Sequence, residues 1–256
     1  MPELPDVEIF SRNLKKQFAG KRLLKLTIIN GKKLKDNPKE LSKSLEGKTL
    51  KNIYRAGKEM RMEFSGGNIL GIHLMLTGDI HLFDKENKYK STIAELYFSG
   101  GKALALTDRM KNAYIKLNPE EKSGIDALEI SYKELKAILN RKGIVKNVML
   151  DQENIRGIGN GYSDEILWET RISPFSISNA IPDEKIKELA KNIKKILKNA
   201  VKKISAAYPG LIQGEVKEFH KIHSKKKIES PTGYKILILD KGMSKTYYTE
   251  EQVLYS

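Results

Sequence analysis

The sequence predicts an α+β fold: an N-terminal helix, an antiparallel β-sandwich domain, and then a helical domain that closes on a β-hairpin. Three observations carry this reading. Val7, Phe10, Leu14 and Phe18 recur at helical spacing near the start, with charged residues between them. From Leu23 to about Leu117 the texture changes to short apolar or alternating runs, broken by turn signals such as Ser65-Gly66-Gly67 and Ser99-Gly100-Gly101. Such runs suit an antiparallel sandwich or barrel. Beyond Asn118-Pro119 the periodicity becomes helical again.

Taken in order, residues 3–18 form the first helix. The β domain is drawn from residues 24–29, 50–54, 60–64, 69–76, 93–98, 103–106 and 113–117. Helices are predicted over 132–139, 145–150, 161–169 and, with a lysine-rich face, about 182–207. Strand texture returns over 215–256, with 235–239 and 246–248 flanking a turn at 240–244. The predicted division is a β domain over 1–118, a helical domain over 119–214 and a hairpin over 215–256, without internal repeats.

The chain has 256 residues, 39% of them apolar, which is enough for real cores. Its 47 Lys+Arg against 32 Asp+Glu give a net charge of +15, which suits a polyanion, either nucleic acid or an anionic membrane surface. A bulky aromatic anchor for membrane insertion is missing from the lysine-rich helix at 182–207, which argues against the membrane. No apolar run approaches the ~18 residues of a membrane span, and there is no charged-then-apolar leader, so a cytoplasmic protein is expected. The chain contains no cysteine, which excludes disulfides, thiol chemistry and cysteine-ligated zinc.

The opening Met1-Pro2-Glu3-Leu4-Pro5 admits two readings. In one, Pro and Glu simply begin a helix. In the other, removal of Met1 leaves Pro2 as a secondary amine. An α-amino group has a pKa of about 7.7–8 against about 10.4 for lysine, so a useful fraction is nucleophilic at neutral pH. Attack on a sugar C1′ would give a cationic iminium, with Glu3 as a neighbouring acid. A second dense stretch, Gly157-Ile158-Gly159-Asn160, reads either as a glycine turn with an ordinary helix cap or as a phosphate holder built from backbone N–H groups and an amide.

These residues occur in one order with Gly57-Lys58, with His73-Leu74-x-x-Thr77-Gly78, and with Asp151-Gln152 ahead of Gly157-Ile158-Gly159-Asn160-x-Tyr162-x-x-Glu165-Ile166-Leu167. The set closely resembles the formamidopyrimidine-DNA glycosylase/endonuclease VIII family of base-excision repair enzymes, from residue 1 to about 175 and more weakly to the end. The resemblance implies a β-sandwich domain, a helix–two-turn–helix element around Gly157–Gly159, and a finger hairpin. It implies duplex DNA kinked on the protein with the target nucleotide flipped out. It further implies a bifunctional glycosylase and abasic-site lyase, with strand nicking by β/δ-elimination, acting as a nucleoid-associated monomer; since one amine serves both steps, the chemistry is expected to need no metal or cofactor.

Residue by residue, Pro2 matches the nucleophile, Glu3 the acid at the ring oxygen, and Lys58 the hairpin lysine that assists catalysis. Lys146 and Asn160 match residues that grip the phosphates flanking the lesion. Asp6 stands where the family usually has Glu, as a supporting carboxylate. His73 reads as a structural strand residue, Trp168 as core, and Lys225-Lys226-Lys227 as a solvated, DNA-facing turn.

The chain also departs from the family's pattern. Four cysteines normally hold a zinc finger, whereas here Ser230-Pro231-Thr232-Gly233, Thr249 and Gln252 fall at about those places, which predicts a zincless finger held by strand pairing. The finger arginine has no clear counterpart; Ser244 or Lys245 takes its place, and Lys245 could supply charge but not bidentate geometry. At the void-filling positions the candidates are Leu76, Met75 and Arg109, or Lys111 for the arginine, with Asn112 at the aromatic site. The missing aromatic wedge, and a short 208–219 stretch where one branch has a long covering loop, tilt the expectation toward oxidised pyrimidines or lesions in open or single-stranded DNA. A non-catalytic damaged-DNA binder of the same fold is the alternative.

Overall fold

The computed structural model describes residues 1–240 and 244–256, in two compact units: Met1–Glu121 with Ser205–Glu215, and Lys122–Ile204 with Val216–Ser256. The middle of the predicted hairpin turn, residues 241–243, lies outside the described residues. No helix among the described residues is long and apolar enough to cross a membrane.

The first unit begins with α1 (Leu4–Phe18), whose buried face is Val7, Phe10, Leu14 and Phe18. It continues through β1 (Leu23–Ile28), α2 (Pro38–Leu45), β2 (Leu50–Ala56), β3 (Glu59–Phe64), β4 (Ile69–His73), β5 (Gly78–Phe83), β6 (Thr92–Phe98), β7 (Ala103–Asp108) and β8 (Tyr114–Leu117). The strands form two antiparallel four-stranded sheets, β1-β6-β7-β5 and β2-β3-β4-β8. The sandwich reading of the sequence therefore holds over the barrel. Alternating residues such as Met60, Met62 and Phe64 of β3 turn into one apolar core with the α1 face, removing it from water.

In this unit, periodicity missed two elements. Helix α2 is only eight residues long and buries only Leu41 and Leu45. Strand β5 is absent from the predicted runs, and the run from Ile69 to Leu76 extends past β4 into the turn that precedes β5. The chain leaves β4 after His73 and re-enters as β5 at Gly78, whose N–H donates to the Leu74 carbonyl at 2.9 Å. A Cβ at Gly78 would lie 2.2 Å from that carbonyl oxygen, so only glycine fits.

In the second unit, the two-residue strands β9 (Ile125–Asp126) and β10 (Ile155–Arg156) pair in parallel around α3 (Tyr132–Leu139) and α4 (Val145–Leu150). Helix α5 (Asn160–Thr170) follows the glycine turn, and α6 (Asp183–Ala207) is a 25-residue amphipathic helix. Its Ile186, Leu189, Ile193, Leu197 and Ile204 are buried at three- and four-residue spacing. The finger is the hairpin β11 (Leu237–Asp240) with β12 (Lys245–Tyr248), registered from Leu237↔Tyr248 to Asp240↔Lys245. Trp168 of α5 packs with Ile222, Ile236 and Tyr247 to fasten it.

Candidate functional site

The sequence-derived candidates fall into clusters, each inside one unit. In the first unit, Pro2 and Glu3 are buried at the N-terminus of α1. Glu3 is the N-cap, and it forms a reciprocal capping box with Asp6: the Asp6 carboxylate accepts from the Glu3 backbone N–H at 3.1 Å, and the Glu3 side chain accepts from the Asp6 N–H. Such a box fixes the entry of the chain into the helix. The shortened carboxylate at position 6 is thus a helix-capping group, directly linked to Glu3.

The terminal amine is held as well. The Met1 ammonium donates to Glu215 at 3.1 Å, one residue from the Pro2 nitrogen. Glu215 comes from the returning segment Ser205–Glu215, whose backbone Asn13 and Asp79 anchor: Asn13 donates to the Leu211 carbonyl at 2.8 Å, and Asp79 accepts from the Gly214 N–H at 2.9 Å. Sequence reasoning missed Glu215, because nothing local marks it and its partner is 214 positions away.

Lys58 occupies the turn between β2 and β3, where Gly57 adopts φ +61°. This turn is tied back to α1. Glu8 accepts from Arg55 Nε at 3.0 Å, and the same guanidinium donates to the Gly57 carbonyl at 3.1 Å. A buried arginine thereby connects the helix that starts at Pro2 to the hairpin that carries Lys58. Arg55 and Glu8 are positioning groups that the sequence reading did not single out.

The void-filling candidates lie on two neighbouring turns, β4–β5 and β7–β8, joined by one carboxylate. Asp108 accepts from the Thr77 hydroxyl at 2.5 Å and from the backbone N–H groups of Met110, Asn112 and Ala113 at 3.0, 2.7 and 2.8 Å. Burial would raise its pKa, but these donors outweigh burial and hold it below the ordinary carboxylate range. The tips carry φ of +54° at Met75 and +56° at Lys111, backbone strain of the kind stored at working sites. Leu76 is 58% exposed, Met75 is half-buried and Arg109 is exposed. Met110, unnoticed in the sequence, is 52% exposed beside them and adds a second apolar tip.

In the second unit, Asn160 opens α5 and its amide donates to the Lys245 carbonyl at 2.8 Å, joining the helix start to β12. Lys146 is not presented to solvent. Its ammonium is buried, 2.6 Å from Asp164 and 2.9 Å from the Thr246 hydroxyl. Asp164 is fully buried and also takes His223 Nδ1 at 2.7 Å and the Tyr247 N–H at 2.9 Å. Lys245 is paired with Asp240 at 2.5 Å, which raises its pKa. A cavity of about 560 Å³ opens beside these groups, lined by Asn160, His223, Ser244, Lys245 and three further lysines among others.

The finger is held by more than strand pairing. Around the positions where the resemblance places cysteines, Ser230, Thr232 and Thr249 direct their hydroxyls at one carboxylate, Glu251, at 3.4, 2.7 and 3.0 Å. Trp168 Nε1 donates to it at 3.1 Å, and Arg171 pairs with it at 2.9 Å. Gln252 accepts from the Thr249 N–H and donates to the Ile172 carbonyl, both at 2.8 Å. Burial pushes the Glu251 pKa up, but the hydroxyl, indole and guanidinium donors hold it below the usual range. Among the described residues, no group of three or more His, Asp or Glu could hold a metal ion.

Comparison with known proteins agrees with this architecture. Residues 1–115 match the formamidopyrimidine-DNA glycosylase N-terminal domain, and residues 121–208 match the H2TH domain of the same enzymes. A formamidopyrimidine-DNA glycosylase of Lactobacillus gasseri is 33% identical over 215 residues, covering 79% of this chain and 78% of that protein. One from Mycoplasmopsis pulmonis is 29% identical over 88% of both chains. Among solved structures, wild-type Lactococcus lactis Fpg in complex with DNA containing an oxidized pyrimidine aligns at TM-score 0.88 and 25% identity, over 98% of this chain and 99% of that one. The same enzyme bound to DNA with an abasic site aligns equally well at 23% identity, which speaks for the fold alone. Two matched domains and close relatives over more than three quarters of the sequence establish that the chain belongs to the formamidopyrimidine-DNA glycosylase/endonuclease VIII family, as a member without cysteine.

Proposed function

We propose that this chain is a DNA glycosylase of base excision repair that also acts as an abasic-site lyase. Removal of Met1 frees the Pro2 amine, which attacks C1′ of a damaged nucleotide and displaces the base. Glu3 protonates the ring oxygen as the sugar opens, leaving an iminium between Pro2 and C1′. That positive charge acidifies the C2′ proton, so loss of the proton expels the 3′ phosphate by β-elimination, and a second elimination releases the 5′ phosphate. Lys58 assists near the phosphate. The relatives' names and the DNA bound to the solved neighbours support an oxidised base as substrate.

The observation that carries this reading is the fixed N-terminus: Pro2 precedes a capped acid, and the Glu8–Arg55–Gly57 bridge fixes the lysine hairpin to the same helix. In the second unit, Asn160 and Lys245 are the proposed phosphate ligands, and Lys146 supports them by holding Asp164 and Thr246. Leu76, Met75 and Arg109, with Met110 added, are the proposed void-fillers. The domain division at 118 and 214 and a cytoplasmic, nucleoid-associated monomer belong to the same reading.

Borohydride trapping on a duplex with an abasic site tests it, using protein with an untagged N-terminus and a Pro2→Gly control. A covalent adduct that falls sharply in the control is expected. Absence of an adduct, with Met1 removal confirmed and tight salt-sensitive binding retained, would replace this reading with the non-catalytic binder.

A further inference from the structure

The two lysines that the sequence offered as phosphate ligands in the second unit are both engaged within the protein, Lys146 with Asp164 and Lys245 with Asp240. We propose that His223 is the proton-switched ligand for a DNA phosphate in the cavity beside Asn160, so that this unit grips DNA by taking up a proton. The proposal rests on the reading that the chain binds DNA.

His223 is held from behind. Its Nδ1 lies 2.7 Å from Asp164 Oδ2, while Lys146 occupies the other carboxylate oxygen and the Tyr247 N–H shares the first. The Tyr247 ring packs against the imidazole at 4.5 Å between centroids. A buried carboxylate at Nδ1 requires the proton to be on that nitrogen. Neutral His223 therefore turns a lone pair at Nε2 away from Asp164, whereas protonated His223 turns an N–H donor there. A phosphate oxygen only accepts hydrogen bonds, so it fits the protonated form and is repelled by the neutral one.

Charges of both signs surround the imidazole. Lys217, Lys225, Lys226 and Lys245 around the cavity, and Lys146 behind Asp164, oppose a further positive charge. Asp164 and Glu218 favour it, and Glu165 accepts from the His223 backbone N–H at 2.8 Å. His220 stands 5.7 Å away between ring centroids, with its Nδ1 near the His223 carbonyl at 3.3 Å. A bound phosphodiester adds a negative charge and tips the balance toward imidazolium. By linkage, affinity then falls as pH rises between the free and bound pKa values, by up to about tenfold per pH unit for one proton.

The test is the Kd for a duplex bearing a tetrahydrofuran abasic-site analogue, at constant ionic strength, between about pH 5 and 8. Wild type should weaken with rising pH. His223→Gln should be weak and nearly flat, matching wild type only at the high end, and His223→Arg should be tight and flat. A His223→Gln slope equal to that of wild type overturns the proposal. Should that variant fail to fold, nitrogen-15 titration of the His223 imidazole in wild type decides: its pKa must rise when the duplex binds, and an unmoved value overturns the idea. Tight binding with an unaltered slope defeats this proposal alone, whereas a folded wild type that binds no DNA at any pH defeats the DNA-binding reading with it.

Discussion

The N-terminal cluster and the finger solve their problems under opposite constraints. At the N-terminus the proposed work is covalent, and it needs a particular amine and a particular acid; Pro2 and Glu3 stand unchanged, and even the altered Asp6 keeps the carboxylate that completes the cap. Around Glu251, at the base of the finger, the work is to hold a hairpin in place. There Glu251 gathers three hydroxyls, an indole and a guanidinium around one carboxylate. Reacting atoms admit few substitutes, whereas a scaffold can exchange one polar arrangement for another provided every buried group stays satisfied.

The largest expected effect tests the first half of that contrast. Glu3→Gln keeps an acceptor for the helix cap but cannot deliver a proton to the sugar ring. Loss of a general acid costs about 10²–10⁴-fold in rate. Single-turnover cleavage of a lesion-containing duplex should show that drop, while thermal unfolding stays near wild type. An unchanged rate would assign Glu3 to the cap alone.

Next comes Lys146→Met, which separates holding from gripping. It leaves Asp164 buried with one cation removed, and breaking such a pair costs about 3–5 kcal/mol. Denaturant unfolding of the second unit should shift accordingly, and the salt dependence of DNA affinity should change little. A reduced salt slope with intact stability would instead make Lys146 a direct phosphate ligand.

Much of the first unit was legible because its apolar runs are short and separated by clear turn signals; α1, β2, β3 and β6 announce themselves through residues such as Phe10, Met60 and Leu96. What escaped were features settled over long sequence distances. Glu215 meets the terminal amine across 214 positions, and Arg55 reaches Glu8 across 47. The role of Lys146 was read from motif position, although its burial is dictated by Asp164, 18 residues later in another helix. In the finger, missing cysteines could be counted, but a single glutamate serving as their common acceptor leaves no spacing signature.

The finger itself supplies the third prediction. Glu251→Leu strands the buried Thr249 and Trp168 donors, and each unsatisfied buried group costs about 1–3 kcal/mol. Hydrogen exchange should rise across β11 and β12. Because the folded pKa of Glu251 is depressed, its contribution is present above the ordinary value of 4.5 and is lost as pH falls through the folded value. Wild type should therefore loosen at the finger below about pH 4.5, and Glu251→Leu should lose that acid dependence. Retention of the same acid transition in the variant would place the responsible group elsewhere.

The smallest effect concerns the exposed tips of the first unit. Leu76 and Met110 lie mostly in solvent, so truncating them to alanine should change stability by less than about 0.5 kcal/mol. Their side chains nonetheless sit on turns that Asp108 braces with four hydrogen bonds, an arrangement with no evident use if the tips are idle. Apolar wedges offset the unstacking of a kinked duplex. The double alanine variant should thus bind duplex DNA carrying an abasic-site analogue several-fold more weakly while leaving affinity for the same single strand unchanged, since a single strand has no partner base to lose. Equal weakening on both would show the two tips to be ordinary contact surface and would leave Met75 as the apolar void-filling candidate on these turns.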